Sequence, residues 1–168
     1  TVDRLADFNS VLCVHNYFGS SRIAHTFGRQ ALPMVWDFVE LNPLGNASGN
    51  ALSALEWITD VIRSSSNLGP VAQVQRGSAI QMPFEASTFD AVVTDPPYYD
   101  NVPYSDLSDF FYVWLKRTIG DHYPDLFMTP VTPKADELVA DSVRRGGSME
   151  LARLWFEKGL TQSFEQIK

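Results

Sequence analysis

Phe89-Asp90-Ala91-Val92-Val93-Thr94-Asp95-Pro96-Pro97-Tyr98 is the most informative stretch of this chain. Its apolar, β-branched centre, Ala91 to Val93, carries no charge and predicts a short buried strand. Asp95 then falls at the carboxyl end of that strand, where open α/β sheets bind their ligands. Pro96 and Pro97 end the ladder, because neither has an N–H to donate and both fix φ. The strand is thus followed by a rigid turn that carries a carboxylate, free carbonyls and an aromatic ring. Such a turn suits a flat ring bearing an amine.

Outward from this stretch, Val71 to Gln75 predicts a second strand that turns at Arg76-Gly77. Ser78 to Thr88 links the two. Ala51 to Ile62 predicts an amphipathic helix with Leu52, Leu55, Ile58 and Ile62 on one face. A loop rich in Asn and Gly precedes it, and Ser64 to Pro70 ends it. Leu107, Phe110, Phe111, Trp114 and Leu115 recur at helical spacing, with Ser105 or Asp106 as N-cap and Gly120 as terminator. Ala135 to Arg145 and Ser148 onward predict two more helices, broken at Gly146-Gly147. The prolines of Tyr123 to Pro133 predict an extended loop. Residues 1–30 are mixed, with a helical look from Arg22 to Gln30. Leu32 to Leu41 fits a helix face or the start of a strand. The helix is preferred, ending before Asn42-Pro43. The whole is α/β, helix-rich, with too few strands for a complete sheet.

At 168 residues the chain is one domain or part of one. Its 45% hydrophobic and 20% charged residues are those of a globular protein. No apolar run approaches a membrane span, and no signal-peptide pattern opens the chain. A lone cysteine, Cys13, forms no internal disulfide and reads as a buried apolar residue, with a reducing cytoplasm as the default compartment. His15, His25 and His122 show no metal spacing, so no metal is expected. The four tryptophans lie on expected helices and read as core. The net charge of -7 runs against a general phosphate-binding surface. Arg144-Arg145 reads as a solvated helix end or as a phosphate contact. The chain opens at Thr1 without a methionine and closes within a helical pattern, as an excised piece of a longer protein would. An incomplete sheet would expose apolar edges, so some self-association is expected.

An exocyclic amine presented to the turn could donate one hydrogen to the Asp95 carboxylate and the other to the Pro96 carbonyl. Both bonds pull density toward the nitrogen and turn its lone pair out of the ring plane. A ring stacked on the base is worth about 1–3 kcal/mol. A base taken from a duplex must be flipped, at a cost of a few kcal/mol.

Asp95-Pro96-Pro97-Tyr98 resembles the catalytic motif of amino-group DNA methyltransferases. The longer run VVTDPPYYDNVPYSDLSDFFYVWLKR, Val92 to Arg117, is similar to the adenine-specific DNA methylase family of large proteins with a domain of unknown function and a zinc ribbon. Gly28 to Pro43 resembles the stretch that precedes the motif there. The resemblance covers most of residues 20–120. It implies a partial, Rossmann-like methyltransferase domain over residues 1–168. The methyl donor would be S-adenosylmethionine, the partner DNA and the target adenine N6. Cytosine N4, an RNA base, or a non-catalytic recognition fragment remain open.

Under the resemblance Asp95 and Pro96 accept from the amine, Pro97 shapes the turn, and Tyr98 stacks on the base. Tyr99, Asp100 and Asn101 either line the same pocket or merely cap and turn the chain. On the cofactor side no Phe-x-Gly-x-Gly loop occurs. Ser78 and Ala79, in Arg76-Gly77-Ser78-Ala79, stand where relatives carry an acid after Gly. Glu40-x-Asn42-Pro43 mimics a ribose-binding acid motif, a chance match if the helix there is real.

Overall fold

The computed structural model describes residues 1–16 and 22–168, which form two compact units. The first unit is Thr1–Pro70 with Ser105–Thr132, and the second is Val71–Tyr104 with Pro133–Lys168.

The first unit opens with α1 (Val2–Asn9), followed by the antiparallel pair β1 (His15–Asn16) and β2 (Arg22–Ile23). Asp7 joins these pieces. One carboxylate oxygen accepts from the N–H groups of Thr26 and Phe27 at 3.0 and 3.2 Å, and the other meets His25 Nδ1 at 2.7 Å. Its backbone carbonyl accepts from the Thr26 hydroxyl at 2.6 Å and lies 3.0 Å from Cys13 Sγ. Thr26 and Cys13 are fully buried, so these polar groups are satisfied inside the protein.

Helix α2 (Ala51–Ser65) begins where Asn50 caps it, its side-chain oxygen accepting from Ser53 N at 2.8 Å. Gly49 precedes that cap with φ +90 and approaches Phe8 so closely that a Cβ there would lie 2.8 Å from the Phe8 side chain. Helix α3 (Tyr104–Ile119) enters the first unit from Ser105. Its buried Tyr112 donates to Thr129 O at 2.8 Å, and Phe110 and Phe111 pack against Phe27 at 5.2 and 5.3 Å between ring centroids.

The second unit is built on α4 (Met149–Ile167), capped by the Ser148 hydroxyl. Ala152 and Phe156 pack with Ala140, Leu138 and Leu160 into its core. The segment from Pro133 reaches that core without regular secondary structure. Val139 and Ala140 are buried, and Ala140 N donates to Tyr99 O at 2.9 Å.

Several expectations are corrected. Ala135 to Arg145 is no α-helix; only the 3₁₀ turn Val143–Arg145 forms, because the core takes this segment through the bond to Tyr99. Arg22 to Gln30 supplies β2 and a turn instead of a helix, its backbone taken up by Asp7. Leu32 to Leu41 is irregular, with Met34 and Trp36 almost wholly exposed. Trp57 and Trp114 are also exposed, so three of the four tryptophans are surface residues. The proline loop contains a 3₁₀ turn at Pro124–Leu126.

The expected strands do not form. Among the described residues β1–β2 is the only sheet. Val71, Val74 and Val93 are 98%, 94% and 95% exposed, so neither Val71 to Gln75 nor Ala91 to Val93 is a buried strand. A strand needs a neighbour for its N–H and C=O groups, and no described segment takes that place here.

Candidate functional site

The second unit contains a cavity of about 910 Å³. Four pieces of chain line it: the loop Arg76 to Met82, the run Thr94 to Pro97, Asp136 and Leu138, and residues of α4 between Trp155 and Ile167. Each has a local reason for its place. The loop turns through the bond from Gln81 N to Ser78 O at 3.1 Å, and Met82 N donates to Gln166 Oε1 at 3.2 Å, fastening it to the end of α4. Two consecutive prolines stiffen the run after Asp95. Gly159 lets Leu138 approach α4, since a Cβ there would lie 2.5 Å from Leu138 Cδ1.

Five of the expected site residues meet in this cavity: Asp95, Pro96 and Pro97 from the motif, and Ser78 and Ala79 from the loop. The other four lie elsewhere. Tyr98 does not line it and is 54% exposed. Tyr98 to Asn101 form a tight turn, with Asn101 N donating to Tyr98 O at 2.9 Å. Within it Tyr99 has φ 21, unusual for a bulky residue, and its ring packs edge-on against Phe156 at 5.1 Å. Tyr99 is thus exposed but rests its ring against the core residue Phe156, and Asp100 and Asn101 lie in the turn. Glu40 is exposed in the first unit, whereas the cavity is built from the second alone.

No protein-family model, curated protein or solved structure matches the chain. The geometry therefore carries the functional reading.

Sequence reasoning missed the α4 wall. Trp155, Lys158 and Gln162 line the cavity from successive turns, and their spacing of three and four residues is the signal that groups them on one helix face. Trp155 is held on two sides. Its indole N–H donates to Glu137 O at 3.2 Å, and the Arg145 guanidinium lies 3.7 Å from its ring centroid. Arg144 is bound beside it by Glu137 and by Asp141.

The cavity's charged side chains are Arg76, Lys158, Asp95 and Asp136, and none of them is ion-paired among the described residues. Its volume lies in the upper part of the range for small-molecule sites, about 300–1,000 Å³. The Asp95 carboxylate and the Pro96 carbonyl give two acceptors beside each other, and Pro96 has no N–H to repel a donor. A planar group with an exocyclic amine fits this set. S-adenosylmethionine fits it poorly. Ser78 offers a hydroxyl where an adenine-binding acid is expected, and no glycine loop accompanies it.

Among the described residues no helix is long and apolar enough to cross a membrane.

Proposed function

We propose that this chain carries the amine-acceptor site of a DNA methyltransferase that modifies the N6 amine of adenine. The observation that supports the reading most is the meeting of Asp95, Pro96 and Pro97 with Ser78 and Ala79 in one cavity large enough for a nucleoside. In this reading Asp95 and Pro96 take the two hydrogens of the amine, and Pro97 keeps their spacing. S-adenosylmethionine supplies the methyl group. The described residues do not furnish the set that would hold it, so the chain's part is to bind and orient the amine.

The reading brings with it a Rossmann-like frame, although Val71 to Gln75 and Ala91 to Val93 form no strands here. It also brings DNA as partner and the cytoplasm as location. Methyl transfer from radiolabelled S-adenosylmethionine to DNA, assayed in the full-length protein, tests it. Asp95→Ala should lower the rate by about 10²-fold, the scale set by removing one preorganised partner of a reacting group. Unchanged activity would overturn the assignment of Asp95. Mass spectrometry of the product nucleosides tests the base: methylated cytosine or ribonucleosides in place of N6-methyladenine would overturn adenine in DNA as the target.

A further inference from the structure

We propose that the cavity takes its target as a nucleotide, with Lys158 as the residue that receives the phosphate and Arg76 assisting it. The inference rests on Asp95 as the amine acceptor, and it names the other end of the ligand.

Three observations carry it. Lys158 and Arg76, far apart in sequence, line the same cavity, and neither is ion-paired among the described residues. All four charged groups of the cavity are unpaired among the described residues. With Asp95 given to the amine, Lys158 and Arg76 are the groups that can receive an anion, set against one remaining carboxylate, Asp136. The chain as a whole carries a charge of -7, so its overall field repels phosphate and any attraction must be local. Finally, the cavity's roughly 910 Å³ exceeds what a lone base would fill and leaves room for sugar and phosphate.

The two ends of the site have different supports. Asp95 sits on the proline-stiffened run. Lys158 projects from α4, whose opposite face is fixed in the core by Ala152 and Phe156. A rigid helix suits a positioning charge, because the lysine head then searches only its own rotamers. Lys158 is itself exposed, so its replacement leaves the core untouched.

Calorimetry with deoxyadenosine and deoxyadenosine 5′-monophosphate separates the two ends. Lys158→Gln should weaken the monophosphate by about tenfold, the scale of one charge-assisted bond, and leave the nucleoside unchanged. Lys158→Arg should restore binding. Anisotropy with a labelled adenine-containing single strand should show the slope of log K against log salt falling by about 0.7 in Lys158→Gln, the change expected when one phosphate is no longer neutralised. An unaltered slope, together with an unaltered ratio of monophosphate to nucleoside affinity, overturns the proposal. Monophosphate binding without oligonucleotide binding overturns DNA as the source of the nucleotide. Asp95→Ala should weaken nucleoside and monophosphate alike. If it weakens neither, the amine reading beneath the proposal fails, whatever Lys158 does.

Discussion

Replacing Phe156 by alanine tests how the second unit holds its site. Phe156 is 6% exposed and packs with Ala140, Ala152, Leu138 and Leu160. Phe→Ala in a core costs about 3–5 kcal/mol, the lower end where neighbours can collapse into the space. Here the two alanines have nothing to extend, while Leu138 and Leu160 are only partly buried and can shift. A loss of about 3 kcal/mol is therefore expected. About 1 kcal/mol of it comes from the edge-on pair with Tyr99. That pair also holds the turn after the motif, together with the bond from Ala140 N to Tyr99 O. Hydrogen exchange followed by mass spectrometry reads both effects. Peptides covering Met149 to Leu160 and Tyr98 to Val102 should exchange about 100-fold faster or more in Phe156→Ala. A cycle with Tyr99→Ala should return a coupling of about 1 kcal/mol. Acceleration under about tenfold in both peptides would refute the assignment of Phe156 as the centre of this core.

Two further outcomes follow from the first unit. Asn50→Ala removes the α2 cap and the bond from Nδ2 to Ala47 O at 2.7 Å; chemical denaturation should show a loss of about 1 kcal/mol, within about 0.5–2. Asp3 has a buried side-chain oxygen without a hydrogen-bond partner, and burial raises its carboxyl above its ordinary 3.8. A raised value in the folded state means that the charged form costs stability. That cost is absent below 3.8 and complete above the folded value. Asp3→Asn should therefore stabilise the protein near neutral pH, and its advantage over the parent should vanish as the pH falls below about 4. An equal advantage at both pH values would show that the gain is not electrostatic.

The helices were legible where the chain's own chemistry closes them. Asn50 before Ala51, Ser148 before Met149, and the aromatic spacing of α3 lie within a few residues of the bonds they make. Apolar spacing without such caps misled. Arg22 to Gln30, Leu32 to Leu41 and Ala135 to Arg145 carry periodic apolar residues, yet none forms an α-helix. In two of the three the backbone is claimed from a distance, by Asp7 and by Tyr99. Helix α1 escaped notice because its short run of eight residues depends on the distant Thr26 and Phe27 for its anchoring.

The same division separates the two sides of the cavity. The sequence by itself determined the stiff run Asp95 to Pro97 and predicted a turn at Arg76-Gly77, because proline geometry and turn chemistry act on adjacent residues. It predicted strands at Val71 to Gln75 and Ala91 to Val93 that do not form. Only the tertiary structure decided that those segments stay unpaired, since a ladder depends on a partner strand. It alone brought Trp155, Lys158 and Gln162 into one cavity with Asp95, because α4 reaches that position by burying Ala152 and Phe156 on the residues around Ala140. Local bonds set the motif, and burial between distant segments set what faces it.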